Sequence, residues 1–407
     1  MIRLLLSVLV AGITLASRPV AAQTADDLFD PSALHDLAIL MNARDWAQLR
    51  ATFMENTYYP CDVEWRGVRA RNAACRSRGS GSRNGVKPGL RIDFNHYVSG
   101  QTFLGLDALV LDNFASDPSM LRERLSMTLL ERLGLPVPRE SYVRVVVGSE
   151  REYVGLYAAV EEIDDEFLKH RFSAGGGYLY EYHWVSEYHF EDLGPELEPY
   201  ATLFEPRMHE QDSMFTLFTP IRDLVAAINE SDSRDLGTAL APLLALAPFV
   251  TQLAAENFLA EWDGLVGYAG LNNFYLYRPP DTGRFRLLSW DKDSTFAWLQ
   301  MPPAHNFDEN VLTRKLWAND LLRQQYLQEL LRAAAAARDM TDDVTRLHEL
   351  IGEAALNDRL KPYSNQEFSD AVDDVRRFAR ERAAVVGAFV RPLLSPADIG
   401  SSVAGSR

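Results

Sequence analysis

A hairpin flanked by polar side chains, between residues 257 and 298, constrains this chain more than any other stretch. Residues 273–278 (NFYLYR) and 285–290 (FRLLSW) are strand-length runs rich in aromatic and aliphatic side chains. The six residues between them include two prolines, an aspartate and a glycine, which favour a turn. Because a hairpin brings its two outer ends together, the side chains just before the first strand and just after the second are predicted to meet.

The residues at these two ends are carboxylates and amides. Asp263, Asn272 and Asn273 precede the hairpin, and Asp291 and Asp293 follow it. Oxygen ligands of this kind suit Mg²⁺, particularly when a phosphate completes its coordination. An Asx turn or a helix cap would explain any one of these residues, but turn chemistry does not explain the whole set. We therefore predict a metal site at this end of the hairpin.

The same stretch resembles the signature of the CotH kinase family, the spore coat protein H-like atypical kinases. In that signature an Asp and then an Asn precede a strand rich in Tyr and Leu, which leads to a D-x-x-T-G-x-F/W turn and to W-D-x-D. The matching residues here are Asp263, Asn272 or Asn273, YLYR, DTGRF and WDKD. The resemblance implies a protein kinase-like fold, ATP with Mg²⁺ or Mn²⁺ as cofactors, and Asp263 as the catalytic Asp. It also implies metal ligands at Asp291 and at Asn272 or Asn273, with Asp293 as a second ligand or an orienting residue. The HRD, DFG and G-x-G-x-x-G motifs of protein kinases do not occur.

An earlier segment extends the resemblance. The family has an R-x-K-G-N-S-S loop followed by K-K-S-F-R-I-K-F, and this chain has RGSGS at 78–82 and KPGLRIDF at 87–94. A kinase-like lobe needs a cation on a strand to hold the α- and β-phosphates. Lys87 and Arg91 are the candidates, and the alternative is that both are solvated charges at a strand edge.

Two acidic positions complete the kinase-like pattern. An amphipathic helix over 120–133 offers Glu123 or Glu131 as the acid that pairs with the phosphate-binding cation, although a solvated helix face is the simpler interpretation. The run from Gly155 to Asp164 resembles the family's G-x-Y-x-x-x-E-x-I-D. Its Glu161 is predicted to contact a nucleotide ribose, a metal or a lysine, or else to cap the following helix.

Composition limits the partners and the compartment. The formal net charge is −16 at pH 7, which disfavours binding to nucleic acid and to anionic membranes. Residues 1–22 have Arg3, then a short apolar run and a small-residue cleavage site near Ala22, as in a signal peptide. We therefore expect an exported protein, periplasmic or extracellular, that does not span the membrane.

Cys61 and Cys75 are the two cysteines of the chain. In an exported protein they predict one disulfide, with buried free thiols as the alternative. Between residues 31 and 53, apolar side chains at helical spacing, interrupted near Asn42, predict two short helices.

Together these features predict an α+β, two-lobed kinase-like fold. The strand-rich N-terminal lobe would span residues 23–165, the mostly helical C-terminal lobe 166–394, and a disordered tail 395–407. The predicted function is that of an exported kinase that binds ATP and Mg²⁺ and phosphorylates a protein hydroxyl. The alternative is a catalytically inactive, kinase-like module that binds proteins of the cell envelope or surface. Scarcity of ATP outside the cytoplasm favours the alternative, whereas the retained acids favour the kinase.

Overall fold

The computed structural model describes residues 23–172 and 175–394. The predicted signal peptide (1–22) and the predicted disordered tail (395–407) lie outside the described residues.

The N-terminal lobe is built on a closed barrel. Its strands follow the order β1-β2-β3-β4-β5-β7-β6, and every neighbouring pair is antiparallel except β1 and β6, which are parallel. Alternating apolar side chains fill the interior, among them Val63, Ile92, Val145 and Tyr157, which are fully buried. The bounds are β1 (Leu34–Met41), β2 (Tyr59–Trp65), β3 (Val68–Arg78), β4 (Gly89–Asp93), β5 (Ala108–Asp112), β6 (Glu140–Val147) and β7 (Glu152–Glu161).

Of the two helices predicted between residues 31 and 53, the prediction of the first is wrong. Leu34–Met41 is strand β1, and only the second segment is a helix, α2 (Ala43–Ala51). Strand β1 pairs with β2 on one side and with residues 142–147 of β6 on the other. Long-range pairing that closes the barrel therefore overrides the local apolar spacing.

The C-terminal lobe combines helices with an antiparallel sheet of order β11-β10-β8-β9. The predicted hairpin is confirmed, because β10 and β11 pair with Phe274 opposite Ser289. The strands are β8 (Tyr178–Tyr182), β9 (Phe204–Pro206), β10 (Phe274–Arg278) and β11 (Arg286–Ser289). The helices of this lobe are α4 (Asp165–Arg171), α5 (Glu198–Leu203), α6 (Met214–Glu230), α7 (Leu236–Leu240), α8 (Leu246–Phe258), α9 (Val311–Ala318), α10 (Asp320–Ala336), α11 (Met340–Asn357) and α12 (Asn365–Val390).

Two further helices belong to the N-terminal lobe, α1 (Ala25–Leu28) and α3 (Arg122–Arg132). Helix α3 packs against α8, α10 and α11 of the other lobe, so it joins the two cores. The turn between α11 and α12 reaches back to the barrel, where the Tyr363 hydroxyl donates to the carbonyl oxygens of Phe114 (2.9 Å) and Asp117 (3.0 Å). A strand-rich first lobe and a mostly helical second lobe confirm the predicted α+β class.

The predicted disulfide is not formed, and Cys61 and Cys75 are free, buried thiols. They lie on adjacent strands, but Cys61 is opposite Ala73 and Cys75 is opposite Tyr59. This diagonal arrangement separates Cα atoms by about 7–8 Å, which exceeds the usual span of a disulfide. The two thiols are close enough that a hydrogen bond from the Cys75 thiol to Cys61, together with burial, raises the pKa of Cys75.

No helix in the described part of the chain is both long enough and apolar enough to cross a bilayer.

Candidate active site

The outer ends of the hairpin meet, as the sequence predicts. The backbone N–H of Trp290 and the ammonium of Lys292 both donate to the carbonyl oxygen of Asn273, at 3.2 and 3.1 Å. Asn273 and Asp291 have positive φ angles of 58° and 52°. Asn and Asp tolerate this left-handed region better than most residues, so the two residue types suit the tight loops that begin and end the hairpin.

Asp263 is held by both predicted amides. The side-chain nitrogen of Asn272 donates to Asp263 Oδ2 at 3.0 Å. That of Asn273 donates to the same oxygen at 3.3 Å and to the Asp263 carbonyl at 2.8 Å. Burial raises the pKa of Asp263, while Asn272, Lys292 and Asn273 oppose that rise. One carboxylate oxygen is therefore fixed by two amides, and the orientation of the group is set.

Lys292, within the WDKD run, supports this arrangement from inside the lobe. It is fully buried and forms an ion pair with Glu256 at 3.2 Å. Burial by itself would lower the pKa of Lys292, but Glu256 and Glu261 outweigh it and raise the value. Glu261 accepts a hydrogen bond from the Asp263 backbone N–H at 2.8 Å. No role for Lys292 follows from the sequence alone, where its position between the two motif aspartates is the available signal.

Asp291 and Asp293 face acids from the other lobe. Burial and Asp112, at the end of β5, raise the pKa of Asp291 to about 6, while Arg78 and Lys292 oppose the rise. Burial and Asp291 raise the pKa of Asp293 well above its usual range. Glu123 of α3 joins the same group. Its pKa is raised by burial first, then by Glu140, Asp291 and Asp112. We call Asp112, Glu123, Asp291 and Asp293 the acidic cluster.

Of the two glutamates that the sequence offered on α3, Glu123 and not Glu131 is the one near the acidic cluster. Glu123 is 8% exposed, whereas Glu131, two turns further along α3, is on the exposed face.

The cation beside the acidic cluster is Arg78, which ends β3. Burial would lower the pKa of Arg78, but Asp291 and then Asp112 outweigh it and raise the value. Its guanidinium carbon lies 5.5 Å from the ring centroid of Trp290. Among the described residues, Arg78 forms no ion pair within 4.0 Å, so its hydrogen-bond donors remain available. The sequence signal was its position directly before the glycine-containing loop at 79–82.

Lys87 is engaged elsewhere. Its ammonium is buried, donates to Asp358 Oδ2 and to the Leu156 carbonyl, each at 2.7 Å, and lies 4.9 Å from the centre of the Tyr157 ring. Asp358 follows α11, so the pair joins the barrel to the C-terminal lobe. The ammonium of Lys87 therefore contacts none of the carboxylates of the acidic cluster, although Asp112 is near enough to raise the pKa of Lys87.

Arg91 and Glu161 also have other partners. Arg91 donates two hydrogen bonds to the carboxylate of Glu162, both at 2.9 Å, and a third to Asp93 at 2.8 Å. Glu161 is buried, pairs closely with the guanidinium of Arg139 and accepts the Arg139 backbone N–H at 2.9 Å. Neither residue is among the neighbours that shift the pKa values of the acidic cluster. Both lie in ion pairs with other side chains, as Lys87 does, and the nucleotide contacts at these three residues stay predictions.

A separate metal-like group lies on the C-terminal sheet. His183 meets Glu181 and Glu205, and ligand atoms of all three lie within 4.8 Å of one another. Arg207 approaches Glu205 at 3.6 Å and Glu181 at 3.7 Å. This guanidinium offsets part of the charge of the two carboxylates.

The acidic cluster has the ligand chemistry of a divalent-cation site, although no three of its carboxylates bring oxygens within 4.8 Å of one another. All of its ligand atoms are carboxylate oxygens, as Mg²⁺ and Mn²⁺ prefer. Burial first, and then neighbouring carboxylates, raise the pKa values of Asp291 and Asp293. Asp291 and Asp293 would hold the ion, with the side-chain oxygen of Asn272 or Asn273 as a further ligand.

A family model and a known protein match most of this chain. The model of the CotH kinase protein family matches residues 75–386, which include Arg78, Asp263 and the whole acidic cluster. Inner spore coat protein H of Bacillus subtilis (strain 168) is 23% identical over 317 residues, which cover 75% of this chain and 84% of that protein.

Two solved structures are also similar. HipA of the Shewanella oneidensis MR-1 toxin–antitoxin system, solved with HipB and operator DNA, matches with a TM-score of 0.37 and 14% identity over 70% of this chain and 59% of that one. The proinflammatory kinase CtkA of Helicobacter pylori matches with a TM-score of 0.33 and 11% identity over 77% of this chain and 95% of that one. Neither score is high enough to argue about function. Because the family model covers most of its length, this chain belongs to the CotH kinase family.

Proposed function

We propose that this protein is an exported phosphotransferase that binds ATP with Mg²⁺ or Mn²⁺ and transfers the γ-phosphoryl group to a hydroxyl of a protein substrate. The observation that carries the proposal is the position of Arg78. It is a cation without an ion-pair partner among the described residues, and it faces Asp291 and Asp112. Binding of a nucleoside triphosphate requires a cation for the phosphates beside carboxylates for the metal ion, and Arg78 and its neighbours provide both.

Arg78 takes the place that the sequence resemblance gave to Lys87 or Arg91. Its planar donors can contact two phosphate oxygens at once. The ring of Trp290 lies beneath the guanidinium at 5.5 Å and restricts its movement. Serines and glycines at 79–82 follow directly and offer backbone N–H groups to the phosphates.

Asp263 is proposed to orient the acceptor hydroxyl and to take its proton. In the transfer, the acceptor oxygen forms a bond to the γ-phosphorus, the bond from that phosphorus to the β,γ-bridging oxygen breaks, and ADP leaves. Asn272 and Asn273 hold one carboxylate oxygen of Asp263, which leaves the other to meet the hydroxyl. Such fixed orientation is a large part of catalysis in phosphoryl transfer.

A bound metal ion would neutralise charge on the phosphates. Asp291 and Asp293 are the proposed ligands, and Lys292 keeps their loop in place through its bonds to Asn273 and Glu256. The hydroxyl of Thr295, in the same loop, lies 2.8 Å from that of Ser126 on α3. The metal-binding loop is therefore tied to both lobes, which supports a site that keeps its geometry before substrate binds.

The test is transfer of label from γ-labelled ATP by the mature protein, with Mg²⁺ and then Mn²⁺, alongside nucleotide binding followed by fluorescence. We expect Asp263→Asn to abolish transfer but keep binding, because the residue acts on the acceptor. Arg78→Met should weaken nucleotide binding at least tenfold. Arg71→Met is the matched control, since Arg71 is an exposed arginine on the same strand, and it should behave as wild type.

Folded protein that neither transfers label nor binds nucleotide in a metal-dependent way would refute the proposal. The inactive, kinase-like interaction module would then be the function to pursue. If Lys87→Met loses nucleotide binding but no stability, then Lys87 and not Arg78 contacts the phosphates.

A further inference from the structure

A histidine and two glutamates on the C-terminal sheet form a ligand triad that the proposed reaction does not use. Glu181 and Glu205 lie directly opposite each other on β8 and β9, so their side chains project from the same face of the sheet. His183 is two residues beyond Glu181, and its backbone N–H still donates to the Leu203 carbonyl at 2.7 Å, which continues the ladder and places the imidazole on that face. Within the described part of the chain, these are the three side chains whose metal-ligating atoms all lie within 4.8 Å of one another.

The spacing of these atoms suits a metal ion. His183 Nε2 and Glu205 Oε2 are 2.8 Å apart, and two donors that bind one tetrahedral zinc ion at about 2.0–2.1 Å lie about 3.3 Å from each other. A small rotation of either side chain therefore admits the ion. The side chains of His183, Glu205 and Glu181 are 50%, 45% and 33% exposed, so they can rotate and water can complete the coordination.

The charge around the triad favours a cation. Two carboxylates directly opposite each other repel. Among the described residues, Arg207 supplies the one guanidinium or ammonium within 4.0 Å of either, at 3.7 Å from Glu181 and 3.6 Å from Glu205, both longer than a hydrogen bond. The same guanidinium also lies 3.8 Å from Glu162. A single positive charge shared among three carboxylates leaves the triad negative.

The imidazole decides which ion the triad prefers. Mg²⁺ and Mn²⁺ favour sites made of oxygen atoms alone, whereas a nitrogen from imidazole beside carboxylate oxygens suits Zn²⁺. Zn²⁺ also binds more tightly than Mn²⁺ to mixed nitrogen and oxygen ligands. The triad therefore has a different ion preference from the all-oxygen set around Asp291 and Asp293.

The triad lies at the base of a long segment of the C-terminal lobe. Residues 183–203 leave the sheet after β8 and return to it at β9, a three-residue edge strand. Within this segment the Glu187 backbone N–H donates to the Ala269 carbonyl at 3.0 Å, in the loop that follows Asp263. An ion held by His183 and Glu205 would tie the two ends of the segment together.

We propose that Glu181, His183 and Glu205 form a Zn²⁺ site, with water completing the coordination, that fastens β9 to β8. The site needs no nucleotide and does not depend on phosphoryl transfer, so it can fail without the proposed function failing.

The experiment is a titration of the metal-free mature protein with Zn²⁺, followed by isothermal titration calorimetry without nucleotide. The parent protein carries Asp291→Asn, which weakens the proposed catalytic metal site. We expect one Zn²⁺ per chain. His183→Gln and Glu205→Gln, each added to the parent, should weaken binding at least tenfold, because loss of a residue that merely supports a ligand already costs about 10–100-fold. His170→Gln is the matched control, since His170 is an exposed histidine on α4, and it should bind as the parent does.

Two further readouts follow from the charge and the exposure of the triad. Added Zn²⁺ should raise the urea midpoint of the parent and leave that of His183→Gln unchanged. Without metal the two midpoints should agree, because the imidazole is half exposed. Arg207→Gln should tighten Zn²⁺ binding, since it removes a positive charge that competes with the ion, and weaker binding in this variant would contradict the charge argument.

The outcomes separate this site from the active site. Zn²⁺ binding of equal strength in the parent and in His183→Gln, or no binding in the parent, would overturn the zinc site and leave the proposed function intact. Binding that is lost in His183→Gln but kept in both Glu181→Gln and Glu205→Gln would show a different ligand set and would also overturn it.

Discussion

The ion pair between Lys87 and Asp358 gives the sharpest test of the structure against the sequence resemblance. If Lys87 holds the lobes together, then Lys87→Met should destabilise the protein and spare nucleotide affinity. If Lys87 binds phosphate, the same change should spare stability and abolish binding.

The geometry sets the size of the effect. The ammonium and carboxylate are 2.7 Å apart, with side chains 1% and 0% exposed. Removing one partner of a buried pair costs about 3–5 kcal/mol, because it leaves an uncompensated charge. Asp358 would keep three backbone N–H donors, from Leu156, Leu360 and Lys361, which places the expected loss near the lower end, about 3 kcal/mol.

Urea unfolding followed by circular dichroism measures this loss. With a slope of about 3 kcal/mol per M, the midpoint of Lys87→Met should fall by about 1 M. Lys87→Met combined with Asp358→Asn should be less destabilised than the sum of the single variants, by about 1–3 kcal/mol, since the double variant buries no unpaired charge.

Nucleotide affinity of each folded variant should stay within about threefold of wild type, whereas Arg78→Met should show the opposite pattern. An unchanged urea midpoint in Lys87→Met together with lost nucleotide binding would refute this reasoning.

Three further predictions concern residues of the barrel and the N-cap of the helix that follows it. Gly155→Ala should lower the free energy of unfolding by about 1–3 kcal/mol, because an added Cβ would lie 2.7 Å from Asp358 Oδ2 at a φ of +128°; an unchanged urea midpoint would contradict it. Burial raises the pKa of Asp164, the N-cap of α4, from 3.8 to about 7. Wild type should therefore lose stability as the pH rises from about 4 through 7, and Asp164→Asn, which keeps the cap, should lose less between pH 5 and pH 8 in the same assay. Cys61 and Cys75 should both be alkylated in urea without reductant and should resist alkylation in the native state, as judged by intact mass; a mass two hydrogens lower with no alkylation would show the disulfide.

Local pattern was enough to predict the hairpin and its polar ends. Apolar strand runs and turn residues are close in sequence, so their pairing needs no long-range information. The meeting of Asn272 and Asn273 with the Asp291 loop follows from that hairpin, and Asp263 lies on the loop just upstream, from which it can reach the same place. The α+β class and the family followed in the same way, because both are carried by short motifs.

Only the tertiary structure decided which cation faces the acidic cluster. Lys87 and Arg78 both lie near the glycine-containing loop, and spacing along a strand cannot show which of them meets a partner from the other lobe. Asp358, which engages Lys87, is 271 residues away in the chain, and it leaves Arg78 as the available guanidinium.

Closure of the barrel also depends on contacts between residues that are far apart in the chain. Residues 34–41 have apolar spacing compatible with a helix, yet they form a strand because β6, more than 100 residues later, offers a parallel edge. The diagonal offset of Cys61 and Cys75 likewise depends on strand register. Sequence by itself determined the local elements and the chemistry they carry, because periodicity and turn residues act over a few residues. Tertiary structure decided which charges are buried against each other and which remain free, because ion pairing and strand pairing join residues that the chain keeps far apart.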